Sequence, residues 1–403
     1  MPLGYLLAVA LVAACTAAAV LPVRRPSYPG YLLSFVVNEV PAVALTWLAV
    51  STALVFWQGD VDSPGAWLAV VLAALTACGL VLVARRGFRA EAAVQRALDV
   101  ALGPDRRAAP GRHRSRPRRW LHLAHTLLAP LVLPRRDVER VTDISYGDAG
   151  DRNLLDLYRP RSGTPSGPTL VYLHGGSFRR GRKSREAVAL IHRLVGQGWV
   201  CLSATYRLSP AATFPAHLVD AKKVVAWART HGPEYGANPD VIVVAGSSAG
   251  AHLAAFTALT PNVAALQPGF EEADTSVSAA VCLYGYFGPV AGGGGASSPA
   301  EHLRSDAPAF FVAHGDRDTL ISADHARSFV DRLRRVSANP VVHVELPGAQ
   351  HGFDLFRSVR FEAVVDGVEA FVAEVLPGRK RRRAPATGAD RCIGRSSGTP
   401  AAP

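Results

Sequence analysis

The segment VIVVAGSSAGAHLAA, residues 241–255, constrains the fold of this chain more than any other stretch. VIVVAG is a continuous apolar run of strand length, and SAGAHLAAFTAL is a run of small and apolar residues of helix length. We therefore predict a buried strand that passes directly into a helix through Gly246-Ser247-Ser248-Ala249-Gly250. Such a G-x-S-x-G turn holds its central residue in a strained conformation with the hydroxyl exposed, and its glycines leave room for the neighbouring backbone.

The rest of residues 141–376 alternates between strand-like and helix-like patterns. Short apolar runs predict further strands, and amphipathic runs of helical period predict the helices between them. The strands are LLDLYRP, TLVYLHGG, WVCLSATYRL, VSAAVCLYG, AFFVAHG and VVHVEL, and the helices are AHLVDAKKVVAWARTH, ADHARSFVDRLRRV and SVRFEAVVDGVEAFVAEVL. This alternation is typical of βαβ units, so we predict an α/β domain with a mostly parallel central sheet and helices on both faces.

A reactive serine needs two partners, and the sequence offers both in the right order. A serine hydroxyl is a weak nucleophile until a base removes its proton, and the base is oriented by a carboxylate. In a strand–turn–helix site of this kind, the acid and then the histidine follow the serine along the chain. Asp316 and Asp318 follow the strand AFFVAHG, and His351 follows VVHVEL. We predict Ser248 as nucleophile, His351 as base and Asp318 as acid. Asp316 is less favoured, because it lies where the turn begins.

A glycine pair after an upstream strand completes the predicted site. The strand TLVYL leads into His174-Gly175-Gly176. Backbone N–H groups of such a loop, with the N–H of Ala249, can bind the negative oxygen of a tetrahedral intermediate. The helix N-terminus adds positive potential at the same place. A glycine turn without function would explain this loop alone, but not its occurrence together with the serine, the acid and the base.

Taken together, these motifs resemble the hormone-sensitive-lipase-like carboxylesterases of the α/β-hydrolase fold. The resemblance runs from about Asp143 to Leu376 through LDLYRP, YLHGGSF, YRLSP, TFPAHLVDAKKVVAWAR, EYGANPDVIVVAGSSAGAHLAA, HGDRDTL and HGF. It implies the three catalytic roles assigned above and, as oxyanion-hole donors, Gly175, Gly176 and Ala249.

Two positions depart from that family's pattern. Ser177 stands where many members have a third glycine, and the turn reads GSSAGA rather than GDSAGG, so Ser247 replaces an acidic neighbour. Both variants resemble the acetyl-ester and feruloyl esterase-like branch. We expect a serine esterase that hydrolyses short- to medium-chain or lipid esters through an acyl-enzyme, without cofactor or metal. Two alternatives stay open: an arylformamidase or other amidase on the same triad, and a ligand-binding protein without enzymatic activity.

The cover of the predicted site is a separate question. Family members often build a lid between the strands that here read VSAAVCLYG and AFFVAHG, whereas this chain has only a glycine-rich loop, residues 286–308, at that place. We expect residues 85–140, or a lipid bilayer, to help cover the pocket.

Three apolar runs precede the predicted α/β domain. Residues 3–23, 31–57 and 66–84 each reach or approach the roughly 20 apolar residues that cross a bilayer as a helix, so we predict three transmembrane helices in an anchor of residues 1–84. A cleaved signal peptide is the alternative for the first run, and it is less favoured because the run lacks a basic start and further spans follow. Glu39 is costly inside the second run, and we expect it to lie near a helix end or to pair between helices.

The positions of the arginines predict the orientation of these spans. Arg24 and Arg25 follow the first run, and Arg85, Arg86 and Arg89 follow the third. The connection between the second and third runs, QGDVDSPG, contains no Lys or Arg. Because cytoplasmic loops carry an excess of Lys and Arg, we predict a multi-pass membrane protein with its N-terminus outside and its α/β domain on the cytoplasmic side.

The formal net charge of +12 is concentrated in two segments. Lys and Arg outnumber Asp and Glu by 9 in the juxtamembrane linker of residues 85–140, and by 6 in the tail of residues 377–403, which we predict to be disordered. Basic residues beside a membrane exit favour contact with anionic lipid head groups. We expect no nucleic-acid partner, since no nucleic-acid-binding motif accompanies the basic runs. The five cysteines show neither CxxC nor metal-ligand spacing, so we predict no disulfide and no zinc site.

Overall fold

An eight-stranded sheet forms the centre of the computed structural model, which describes residues 3–21, 27–104, 135–165 and 167–376. In chain order the strands are β1 (Val138–Ser145), β2 (Leu154–Pro160), β3 (Thr169–Leu173), β4 (Val200–Ala204), β5 (Ile242–Ser247), β6 (Ala279–Leu283), β7 (Ala309–Gly315) and β8 (Val341–Leu346). Their spatial order is β1-β2-β4-β3-β5-β6-β7-β8. Both pairings of β2 are antiparallel and the others are parallel, which confirms the predicted mostly parallel sheet.

Helices cover both faces of this sheet. The described helices are α1 (Leu3–Val20), α2 (Tyr28–Glu39), α3 (Pro41–Trp57), α4 (Pro64–Phe88), α5 (Ala90–Leu102), α6 (Val188–Val195), α7 (Ala216–Thr230), α8 (Ala249–Leu259), α9 (Ala323–Val336) and α10 (Val359–Val375). One apolar core lies between the sheet and α5, α6 and α10, and a second lies between the sheet and α7, α8 and α9. Strands β3 to β7 are buried along their whole length, so they read as continuous apolar runs.

Helix α5 differs from the sequence expectation, which assigned residues 85–140 to a linker. It contacts β8 and α10, and Val94 and Leu98 are fully buried in the core. The apolar residues of AEAAVQRALDVAL recur at helical spacing, so this helix has the stripe that a sheet-covering helix needs. Residues 105–134 of the predicted linker and the whole predicted tail lie outside the described residues.

The second apolar run is not the single helix predicted over residues 31–57. It forms α2 and α3, which are bent by 84° relative to each other. Val40 separates them and Pro41 begins α3. Proline has no N–H to continue the hydrogen-bond ladder of the preceding helix, and its ring clashes with the carbonyl one turn earlier. The prediction of one continuous helix is therefore wrong, and Pro41 gives the physical reason.

The other two apolar runs form long helices. Among the described residues, α1 and the stretch Pro64–Leu102, which contains α4, are long and apolar enough to cross a membrane, and the bent pair adds a third candidate if it counts as one span. Ser63 caps the start of α4 by accepting the N–H of Ala66, and Pro64 occupies the first helical position. The number of spans stays a prediction.

The apolar helices share an interface with the α/β domain. Nη1 of Arg317, in the loop after β7, donates to the carbonyl oxygens of Val20 (2.9 Å) and Leu21 (3.0 Å) at the end of α1. Arg86 donates to the carbonyl oxygen of Ala19 at 3.2 Å. Cationic side chains at a helix C-terminus satisfy its last carbonyl groups and favour its dipole. These bonds fix the end of α1 beside the loop that carries Asp318.

Candidate active site

Ser248 lies in the sharp turn between β5 and α8. Its backbone adopts φ 54° and ψ −116°, a conformation that costs a residue with a side chain about 1–3 kcal/mol. A Cβ on Gly250 would lie 1.9 Å from the carbonyl oxygen of Leu173, so glycine alone allows α8 to approach β3 this closely. The N–H of Ser248 donates to the carbonyl oxygen of Leu283 at 2.9 Å and holds the turn against β6. The serine is thereby placed at the carboxyl edge of the sheet.

The structure brings Ser248, His351 and Asp318 together. His351 Nε2 lies 3.0 Å from Ser248 Oγ, and His351 Nδ1 lies 2.7 Å from Asp318 Oδ2. At such distances an imidazole can accept the serine proton while a carboxylate fixes its orientation. The three residues follow β5, β7 and β8, whose carboxyl ends share one edge because these strands are parallel.

The carboxylate of Asp318 is held by several donors. Its Oδ1 accepts the N–H groups of Leu320 and Ile321, each at 2.9 Å, and its Oδ2 also lies 3.2 Å from Nε2 of His314. Burial acts to raise the pKa of this carboxyl, but the charge of His351 and the hydrogen bonds from His314 and His351 hold that pKa well below its usual range. Asp318 is therefore ionised at neutral pH.

The second candidate acid, Asp316, has a different environment. Its Oδ1 accepts the N–H of Gly348 at 2.7 Å, so it joins the loop after β7 to the loop after β8. Of the two aspartates, the structure brings Asp318 to the imidazole of His351 and Asp316 to the neighbouring backbone.

The glycine loop after β3 borders the serine. A Cβ on Gly175 would lie 3.1 Å from Cβ of Ser248, and a Cβ on Gly176, whose φ is 119°, would lie 1.9 Å from a carbonyl oxygen of the same loop. The N–H of Gly175 already has an acceptor, since it donates to Glu186 Oε2 at 2.5 Å. Ala249 is the first residue of α8, where N–H groups have no acceptor within the helix. The N–H of Gly175, one of the three predicted oxyanion-hole donors, is thus already bonded to a side-chain carboxyl.

Glu186 is a neighbour of the site that the sequence analysis did not identify. Burial and the nearby carboxylate of Asp354 raise the pKa of Glu186 to about 8, and the hydrogen bond from Gly175 opposes this shift. The sequence signal is weak, because Glu186 follows the basic stretch RRGRKSR and looks like its surface counter-ion.

A buried polar cluster joins the serine turn to the histidine loop. Ser247 Oγ donates to Asp354 Oδ2 at 2.6 Å, and the hydroxyl of Tyr172 lies 2.7 Å from Ser247 Oγ. The hydroxyl of Tyr284 donates to the other oxygen of Asp354. Asp354 lies three residues after His351 and is 1% exposed. Ser247, which the sequence analysis treated only as a neighbour of the nucleophile, therefore fixes the loop that carries the imidazole.

Known proteins of similar sequence bear on what this arrangement does. The BD-FAE family model matches residues 155–290. The probable carboxylic ester hydrolase LipM of Mycobacterium tuberculosis is 38% identical to this chain, over 93% of the chain and 93% of LipM. The chain belongs to the hormone-sensitive-lipase-like carboxylesterases. It is an enzyme of the carboxylic ester hydrolase class.

Further matches agree with this assignment. Esterase LipQ of Mycobacterium tuberculosis is 39% identical to this chain, and the match covers 61% of this chain and 65% of LipQ. The butyrate-bound structure of esterase 2 from Thermogutta terrifontis is 24% identical with a TM-score of 0.52, and the match covers 60% of the carboxylesterase and 95% of that structure. A truncated carbohydrate esterase from gut microbiota is 20% identical with a TM-score of 0.52, and the match covers 59% of this chain and 98% of that structure. These two structures share the α/β-hydrolase fold with the carboxylesterase.

Proposed function

We propose that this carboxylesterase is anchored in a membrane and hydrolyses short- to medium-chain or lipid carboxylic esters through an acyl-enzyme on Ser248. The observation that carries the proposal is the run of contacts from Ser248 Oγ to His351 Nε2 (3.0 Å) and from His351 Nδ1 to Asp318 Oδ2 (2.7 Å). Ser248 and His351 are 7% and 8% exposed, so both side chains are largely buried.

Acylation begins when Ser248 Oγ attacks the ester carbonyl carbon and its proton moves to His351 Nε2. The carboxylate of Asp318 stabilises the imidazolium that forms. The tetrahedral intermediate then collapses, the carbon–oxygen bond to the alcohol breaks, and the alcohol oxygen takes the proton from Nε2. The acyl group stays on Ser248 as an ester.

Deacylation repeats these steps with water as the nucleophile. His351 Nε2 accepts a proton from water as the water oxygen attacks the acyl carbon, and it returns that proton to Ser248 Oγ as the acid leaves. Atoms and charge balance, because one water is consumed for each ester cleaved.

The oxyanion of both intermediates needs fixed donors. We assign this role first to the N–H groups of Gly176 and Ala249, each worth about 2.7–4 kcal/mol of transition-state stabilisation. Gly175, the third predicted donor, would first have to release Glu186 Oε2.

The membrane anchor in this proposal is residues 1–84, which contain α1, α3 and most of α4. The α/β domain with its basic linker and tail lies on the cytoplasmic side. Three contacts support one common side for the helix ends that meet the domain: Arg317 with the end of α1, Glu39 with Arg360 before α3, and Arg86 with Gly348 at the end of α4. Leu11 and Leu75 remain 62% and 65% exposed, as expected of side chains that face lipid. We propose that the basic linker contacts anionic head groups.

Replacing the serine tests the proposed chemistry. Ser248→Ala should lower kcat/KM for 4-nitrophenyl butyrate by about 10⁴-fold or more, the usual loss when the nucleophile of a triad is removed. Ser145→Ala, on the exposed edge strand, controls for handling and should match the wild type. The variant Ser247→Ala tests the adjacent hydroxyl. Complete loss of turnover in Ser247→Ala together with full turnover in Ser248→Ala would reject Ser248 as the nucleophile.

A further inference from the structure

Helix α2 is bound to both loops that carry the acid and the base. The N–H of Ser27, at its start, donates to the carbonyl oxygen of Thr319 at 2.8 Å. Nε2 of Gln350 donates to Ser34 Oγ at 3.0 Å. Oε1 of the same Gln350 accepts the N–H groups of Thr319 (2.6 Å) and His351 (3.1 Å). One buried amide therefore connects α2, the acid loop and the base loop.

The side chain of Tyr31 places an aromatic ring against the imidazole. Its ring centroid lies 6.2 Å from that of His351, with an interplanar angle of 81°. Its hydroxyl lies 3.4 Å from the position that a Cβ on Gly352 would occupy. Phe35 stacks on Tyr31 at 5.3 Å and contacts Phe356 at 5.5 Å. The inner face of α2 thus forms an aromatic row beside the base.

The other end of α2 is fixed by a buried ion pair. Glu39 pairs with Arg360 and accepts a hydrogen bond from Ser358 Oγ at 2.7 Å, and both charged side chains are 1% exposed. Arg360 Nη1 also donates to the carbonyl oxygen of Asn38 at 2.9 Å. This end of the helix therefore has little freedom to leave the domain.

These contacts place a wall beside the base where the sequence analysis expected residues 85–140 or a bilayer. Of that segment the structure describes residues 85–104 and 135–140, and its helix α5 packs on the sheet. Among the described residues this wall comes from α2, and the expected cover by residues 85–140 or by a bilayer stays a prediction.

The chemistry of the base tells which part of the substrate meets this wall. His351 Nε2 must hand its proton to the departing alcohol oxygen, so the alcohol moiety leaves alongside the imidazole. We propose that Tyr31 is a specificity-determining residue that forms the wall of the alcohol side of the substrate site. This inference rests on the proposed acyl-enzyme mechanism. In deacylation the alcohol is absent, so Tyr31 acts on acylation and not on hydrolysis of the acyl-enzyme.

Acetate esters that differ only in the alcohol test the inference with the full chain in detergent micelles. Tyr31→Ala should lower kcat/KM for 2-naphthyl acetate by about 3–10-fold, the size of one lost aromatic contact, and change kcat/KM for methyl acetate by much less. The rate of acetyl-enzyme hydrolysis, measured after a burst, should match the wild type. Tyr31→Phe keeps the ring and should retain the preference for 2-naphthyl acetate over methyl acetate. Leu32→Ala, whose side chain is on the outer face of α2 and 52% exposed, should behave as the wild type.

Three results would overturn the inference. If Tyr31→Ala lowered kcat/KM equally for both acetates and also slowed hydrolysis of the acetyl-enzyme, Tyr31 would only support the fold. A change confined to a 4-nitrophenyl ester series of increasing acyl length would place the wall on the acyl side. Absence of acetyl-enzyme formation in the wild type would reject the proposed mechanism itself, and this inference with it.

Discussion

At the scale of single residues, Ser248 shows how strain is maintained at the proposed nucleophile. Its backbone has a φ of 54°, and one N–H bond to Leu283 together with the close approach that Gly250 allows hold it there. Next to it, Ser247 turns away and binds Asp354. Two adjacent serines therefore have separate tasks, because one side chain is fixed in a buried network and the other faces the imidazole.

The two candidate acids are distinguished by a matched pair of variants. Asp318→Asn should lower kcat for 4-nitrophenyl butyrate by about 10⁴-fold, because the amide cannot stabilise the imidazolium and favours the wrong tautomer of His351. Asp316→Asn keeps an oxygen that can accept the N–H of Gly348, so its kcat should stay close to the wild-type value. Steady-state kinetics at pH 7.5 measures both, and a larger loss in Asp316→Asn would reassign the acid.

Glu186 predicts a specific dependence of stability on pH. Its pKa is raised in the folded enzyme from about 4.5 to about 8, so the folded state holds the proton more tightly than the unfolded state. Its contribution to the free energy of unfolding is full below pH 4.5 and is lost as the pH rises towards 8. Glu186→Gln keeps the acceptor for Gly175 but cannot ionise.

The variant should therefore gain stability relative to the wild type by more than about 1 kcal/mol between pH 5 and pH 9. Denaturant unfolding of the detergent-solubilised enzyme at both pH values measures the difference. Glu301→Gln, a 54% exposed carboxyl, serves as the control and should show no such trend. A difference between wild type and Glu186→Gln that is independent of pH would contradict the prediction.

At the scale of elements, the break between α2 and α3 allows α2 to pack on the α/β domain beside His351. Glu39 ends α2 and pairs with Arg360 of α10, with both side chains 1% exposed. Removing one partner of a buried ion pair leaves the other charge without compensation, at a cost of about 3–5 kcal/mol. Glu39→Gln should therefore lower the thermal stability of the solubilised enzyme markedly.

A surface ion pair supplies the control for that variant. Glu345 pairs with Arg327, whose side chain is 45% exposed, and exposed pairs contribute only about 0–1 kcal/mol. Glu345→Gln should shift the unfolding temperature much less than Glu39→Gln, and equal shifts would show that the Glu39 pair does not hold α2.

Local patterns predicted the elements that they determine. A buried strand reads as an apolar run, so β3 to β7 were identified from sequence, and G-x-S-x-G identified the turn at Ser248 because the close approach of α8 demands glycine. The edge strand β1 was missed, since VERVTDIS carries charges on its exposed side. Helix α5 was assigned to a linker because the basic segment around it obscured its apolar stripe.

Partners distant in sequence could not be predicted from such patterns. Glu186, Asp354 and Gln350 are ordinary polar residues in the sequence, and only the fold brings them to the loops around Ser248 and His351. The break of the second apolar run had a local signal in Pro41 and Glu39, but hydropathy alone does not distinguish a span from a helix that packs on a domain.

At the scale of the whole molecule, the proposed topology predicts which surfaces face outward. In that topology the α3–α4 connection lies outside and the α/β domain inside. In a chain with Cys78 and Cys392 replaced by alanine, Asp60→Cys should react with a membrane-impermeant maleimide added to intact cells. Glu301→Cys should react only after the cells are permeabilised. The reverse labelling pattern would overturn the orientation.

Trapping the acyl-enzyme tests the proposed mechanism most directly. Full-length enzyme is mixed with 4-nitrophenyl butyrate, quenched with acid within the burst and digested for peptide mass spectrometry. We predict the mass of one butyryl group on the peptide that contains Ser248, and none on any peptide of Ser248→Ala. A butyryl group on another residue, or undiminished turnover by Ser248→Ala, would show that Ser248 does not carry the acyl group.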